Sequence, residues 1–135
     1  MKSRDSLIRL KKFQVDEKRR QLMAIEMMIA DFNRMANELD LQIQAEQDRS
    51  GITDVAHFAY PTFAKAAMTR RDNLLQSAAD LSGQFEAAQE ALSEAVEELK
   101  KVELLEQRDQ SRAREEADEA EQEELDEVAL RIVGG

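Results

Sequence analysis

Two seven-residue apolar repeats, separated by one stretch that holds Gly51 and the sequence's single proline, decide most of what this chain can fold into. In the first half Ile8, Val15, Leu22, Ile29, Ala36 and Ile43 recur at the same heptad position, with Ile25, Phe32 and Leu39 interleaved at the alternating spacing of three and four. That period keeps apolar side chains on one stripe of a helix. In the second half Ala64, Ala78, Phe85, Leu92 and Leu99 repeat likewise, with Ala67, Leu74, Leu81, Ala88, Ala95 and Val102 between them. Each helix has one stripe to bury, so the simplest structure folds the second back on the first. The expectation is an all-α fold, a long two-helix antiparallel coiled-coil hairpin.

The punctuation sets the boundaries. A first helix is expected over about residues 4–49, ended by Ser50-Gly51, because glycine tolerates the left-handed conformation at a helix C-terminus. Residues 50–60 read as a connector, since Pro61 biases Tyr60 away from helix and suits a first helical position itself. The second helix is expected over about 61–127, with Gly83 as its one breaker, followed by a flexible tail over 128–135. The length of 135 residues leaves no room for a second independent core, so one domain over 1–135 is expected. Facing residues in an antiparallel pair have numbers that add to a constant. A sum of 110 pairs Leu22 with Ala88, Ile29 with Leu81, Phe32 with Ala78, Ala36 with Leu74, and Ile43 with Ala67. Large side chains then mostly meet small ones, as dense packing requires.

Charge supports the same topology. Residues 1–20 hold eight basic and three acidic side chains, a balance of 8 − 3 = +5, whereas residues 86–127 hold five basic and 17 acidic ones, 5 − 17 = −12. An antiparallel fold brings the basic start beside Glu98 and Glu103. Lys11, Lys18 and Arg71 fall on the seam and are expected to snorkel outward, weakening it locally. The seam begins at Ile8 opposite Val102, so everything from Glu103 onward is expected to lack a partner on the first helix. That overhang is compatible with a solvated helix of roughly 35 Å or with fraying. A charged fraction of 36% also raises disorder as an alternative, against which stand the 42% hydrophobic content and its periodicity.

No residue pattern equips the chain for chemistry. Gly51, Gly83, Gly134 and Gly135 form no phosphate-binding loop, there is no cysteine for a thiolate site, and His57 stands alone, fitting an ordinary loop role better than a metal role. Glu97-Glu98 and Glu115-Glu116 lack the pocket that raises a catalytic pKa. An enzyme is not expected, and no cofactor. The start MKSRDSLIRLKKF lacks the apolar stretch of a secretory signal, and no run approaches a membrane span, so membrane insertion is not expected and a cytoplasmic location is. Nucleic acid is not expected as a partner, because the basic start is offset by acidic residues and has no interleaved aromatics. Leu10, Phe13, Met23 and Met27 fall on the far side of the first helix and are candidates for an exposed partner-binding face, while Met28 and Met35 fall at the core edge.

Four segments carry a family resemblance: LIRLKKFQVDEKRRQ, IEMMIADFNRM, the connector HFAYPTFAKAA, and ELKKVE. Through them nearly the whole chain resembles the flagellar export protein FliJ family, particularly its shorter alphaproteobacterial-type members. The resemblance implies a cytoplasmic, stalk-like component of the flagellar type III export apparatus. Its implied partners are the hexameric export ATPase FliI, the export gate FlhA and export chaperones. Residues near 1–20 and 95–127 would meet the ATPase ring by that analogy, and the apolar far-side residues are further candidates for it. A gate-contacting stripe would comprise Tyr60, Phe63, Ala67 and Arg70, with Phe63 fitting the family role best and Ala67 and Arg70 departing from larger apolar residues. Packing at the seam edge is the competing role for Phe63. Alternatives are a structural adaptor or stalk of a non-flagellar type III system, or a homo-oligomeric scaffold.

Overall fold

The computed structural model describes residues 2–134, with the side chains of Lys2 and Ser3 outside the description. Three helices follow in order: α1 Lys2–Ser50, α2 Thr62–Asp80 and α3 Ser82–Gly134, with no strand among the described residues. The fold is an all-α helical hairpin. Its contacts gather into two compact units, one formed by Asp16–Ser93 and the other by Met1–Val15 with Glu94–Gly135.

In the unit Asp16–Ser93, α1 ends where the sequence places the stop. Gly51 has φ +73° and donates its backbone N–H to the carbonyl of Gln47 at 2.9 Å, closing the last turn. Pro61, with φ −60° and ψ 128°, is the cap that precedes α2, and its carbonyl accepts from the Lys65 N–H at 3.1 Å. The helix therefore starts one residue later than expected. Ala36, Ile43, Ala64, Ala67, Ala78 and Leu81 are buried, and Leu22, Ile25, Ile29, Phe32, Leu39, Leu74, Phe85 and Ala88 are half-buried. The heptad stripes are thus the covered faces. Two contacts fix direction: Asp40 pairs with Arg71 at 2.8 Å, and Gln47 bonds Tyr60 at 2.9 Å. As one number rises the other falls, which is antiparallel, and 40 + 71 = 111 lies one from the constant read off the sequence.

The second helix, expected over 61–127 with Gly83 as its one breaker, is divided two residues earlier, at Leu81, the C-cap of α2. Its N–H bonds Ala78 and Ala79 carbonyls, a tightened turn, before α3 begins at Ser82. The Ser82-Gly83 pair just beyond has the weak helix propensity that permits such a break.

In the other unit, Val15 and Val102 are buried and Ile8, Leu92's neighbours Ala95 and Val96, and Leu99 are half-buried. Lys11 donates to Glu98 at 2.9 Å, so a lysine expected to weaken the seam is held at its edge by an acidic side chain of α3. This hydrogen bond, and the attraction of the ammonium, hold the Glu98 carboxyl below its ordinary range. A depressed carboxylate stabilises the fold above its unfolded pKa, and that contribution is lost as pH falls through the lowered folded value. Arg71, in the first unit, is likewise anchored by Asp40 and Asp72.

Two expectations for the C-terminal half are corrected. Pairing does not stop at Val102, because Arg4 forms ion pairs with both Glu106 and Asp109, and these two carboxylate residues are half-buried. The apolar stripe ends there, but charge carries the contact about two helical turns further. Nor does the helix stop near 127. Residues 128–134 are helical and exposed rather than a flexible tail, Gly135 lying outside the described residues. Strong helix formers and i,i+4 links such as Gln122 to Asp126 at 3.0 Å propagate α3 through Val133.

A methyl group added at Gly51 or Gly83 would meet open space, so backbone preference alone decides the effect. Gly51→Ala is expected to cost about 1 kcal/mol through its left-handed φ, and Gly83→Ala to gain up to about 1 kcal/mol. Thermal melts followed by circular dichroism should move by a few degrees in opposite directions.

Candidate partner-binding surfaces

The connector is built from two consecutive turns. The Asp54 carboxylate accepts from the Ala56 N–H at 2.9 Å, and the Asp54 carbonyl accepts from the His57 N–H at 3.1 Å. His57 then closes the second turn, its Nδ1 accepting from Ala59 N–H and its carbonyl from Tyr60 N–H, both at 3.0 Å. The lone histidine is a loop fastener. No group of three or more metal-ligating side chains occurs among the described residues.

These turns aim neighbouring aromatics in different directions. Tyr60 is only 6% exposed and its hydroxyl accepts from Gln47 Nε2 at 2.9 Å, tying the connector to the last turns of α1. Phe58 is 96% exposed and stacks on the His57 ring with centroids 4.7 Å apart. Sequence reasoning overlooked Phe58, because it lies outside both heptads and no periodicity assigns it a face.

The four residues of the expected gate stripe divide. Tyr60 and Ala67 are buried, whereas Phe63, at 57% exposure, and Arg70 face solvent. Phe63 is therefore more than half exposed, at the start of α2. Two helical turns further along α2, Arg70 is one of the residues lining an open groove of about 480 Å³, with Met35, Leu39 and Leu74 and the polar Glu38, Gln42, Asn73 and Ser77. Met35, expected at the core edge, is part of that groove wall. Within the same unit Met23 and Met27 are exposed, and in the other unit so are Leu10 and Phe13. The far-side face of α1 is thus uncovered at all four positions.

A family model described as the flagellar FliJ protein matches residues 1–135, the whole chain. The chain belongs to the FliJ family. It is accordingly a component of the flagellar export apparatus, in a family of non-catalytic export proteins. No curated protein and no solved structure matches the chain. Among the described residues, no helix of this FliJ-family chain is long and apolar enough to cross a membrane.

Because Phe63 is largely solvent-exposed and Tyr60 is not, their substitutions should part company. Phe63→Ala is expected to impair export, read as loss of swimming in complemented cells, with the melting temperature nearly unchanged. Tyr60→Phe removes the bond from Gln47 and is expected to cost about 1 kcal/mol. A fall of several degrees for Phe63→Ala would return that residue to the core.

Proposed function

We propose that this FliJ-family chain acts on the cytoplasmic face of the flagellar export apparatus as a stalk-like partner of the hexameric ATPase FliI and of the export gate FlhA, escorting export chaperones. The observation that carries the reading is the whole-chain family match combined with exposed apolar side chains that no part of the described fold covers. On this reading Leu10 and Phe13, with the terminal parts of α1 and α3 near residues 1–20 and 95–127, meet the ATPase ring. In the unit Asp16–Ser93, Met23 and Met27 are separate candidates for contact with the ring. Phe63 and Arg70 face the gate, and Tyr60 and Ala67 hold α2 in place beneath them.

The chemistry of such a role is binding alone. Exposed Leu, Phe and Met on an otherwise charged helix give a partner apolar area to cover, and Met repacks to suit different partners. No nucleic acid partner and no cofactor enter this reading. The flagellar family match favours the flagellar apparatus over a non-flagellar secretion system, and light scattering distinguishes it from a homo-oligomeric scaffold.

Adding the purified chain to FliI is expected to raise the ATPase rate and promote ring assembly. The double variant Leu10→Ser, Phe13→Ser should lose most of that stimulation while keeping its helicity, since both positions are exposed. No effect of the unmodified chain on either rate or assembly contradicts the proposed role.

A further inference from the structure

From Gln110 to Gly134 every residue of α3 is exposed, although Leu125, Val128, Leu130 and Ile132 all lie in its final turns. Leu104 and Leu105, earlier on α3 and in the same unit, are exposed too. Exposed apolar side chains gathered on one helix mark a contact face. Charge decides what covers it. Residues 108–114 hold Arg108, Arg112 and Arg114 against one acid, Asp109, whereas residues 115–127 hold nine acidic side chains and no basic one. A helix divided in this way is complementary to an antiparallel copy of itself. A two-fold contact lays the basic stretch of each copy beside the acidic stretch of the other, whereas a parallel pair in register would set arginine against arginine.

We infer that this exposed part of α3 is a self-association surface, on which a second copy of the chain packs antiparallel about a two-fold axis near Ala117, each copy keeping its own hairpin. Facing residues then have numbers that add to about 234. Ala117 meets its own counterpart and Ala113 meets Ala120, small side chains that let the two backbones approach closely. Arg112 reaches Glu123 and Arg114 reaches Glu121, once from each copy, and the exposed Leu105 meets the exposed Leu130. Helical phase agrees with these pairs. At 100° per residue Arg112 and Glu123 fall on one flank of the alanines, and Arg114 and Glu121 on the other. Glu116 and Glu119 also meet across the axis, and their repulsion keeps the association weak and concentration-dependent. Nucleic acid and anionic lipid are repelled by the nine carboxylates of residues 115–127. The association needs neither FliI nor FlhA, so its test stands apart from theirs.

The sequence has no cysteine, so single cysteines report the contact in the full-length chain. Under a mild thiol oxidant Ala117→Cys is expected to form a disulfide-linked dimer about tenfold faster than Gln110→Cys, whose counterpart lies about 21 Å away along the axis, or than Leu75→Cys, exposed in the other unit. Equal rates at 110 and 117, both fast, would mean a parallel pair, and rates at 117 no higher than at 75 would mean no pair at all. Either overturns the inference. Sedimentation equilibrium tests the ion pairs, with circular dichroism confirming that each variant stays helical. Arg112→Glu is expected to weaken dimerisation about tenfold, and Glu123→Arg added to it to restore most of the loss. Glu90→Arg, exposed in the other unit, returns the same net charge and should restore little. Equal rescue by Glu90→Arg would show net charge acting without any register, and an unmodified chain that stays monomeric at every concentration would leave the surface to a basic partner. Both results contradict the proposed pairing.

Discussion

Everything in this structure depends on the mutual burial of two apolar stripes supplied by one chain. Neither helix has a second apolar face sufficient for a core, and no disulfide or metal centre among the described residues substitutes for one. The stripes are also uneven in size, with Ile43 and Ala36 placed by the register against Ala67 and Leu74. Alternation of large and small lets the helices approach closely, and it penalises a shifted register, in which large would meet large. Polar contacts then refine the fit. Asp40 with Arg71, and Lys11 with Glu98, each sit beside the stripe within their own unit, where a slipped register would part them.

Much of this was legible because a heptad is a strong signal. The stripe residues assigned from spacing are buried or half-buried, and Gly51 has the positive φ that its place after Ser50 suggested. Less legible were features that depend on local backbone detail or on charge. The break at Leu81 precedes Gly83 by two residues, and propensity alone does not locate a tightened turn that closely. The continuation of pairing through Arg4 to Glu106 and Asp109 is carried by charge, which a heptad of apolar residues does not encode. The helicity of 128–134 corrects the expectation of a flexible tail there. Ile132 and Val133 carry ordinary helix cost, and the preceding run of strong helix formers propagates through them.

The candidate surfaces divide along the same line. Leu10, Phe13, Met23 and Met27 were legible as far-side positions because exposure follows from the heptad. The exposure of the residues expected in a gate stripe was not legible residue by residue. Tyr60 and Phe63 are three apart, but Tyr60 precedes the helix and is fixed by the turns that His57 closes, so helical spacing does not describe it. Phe58 required those same turns to be known. A binding surface on such a protein is what the hairpin leaves uncovered, and membership of the FliJ family supplies the context in which uncovered apolar groups have partners to meet.

The central claim is that the two stripes of one polypeptide pack antiparallel with Leu22 across from Ala88. Spin labels at these two positions, in a sample diluted with unlabelled protein, measure that pairing directly. The account predicts a separation near one interhelical distance, about 10 Å, unchanged by dilution. A long separation, or a short one that disappears on dilution, would contradict it.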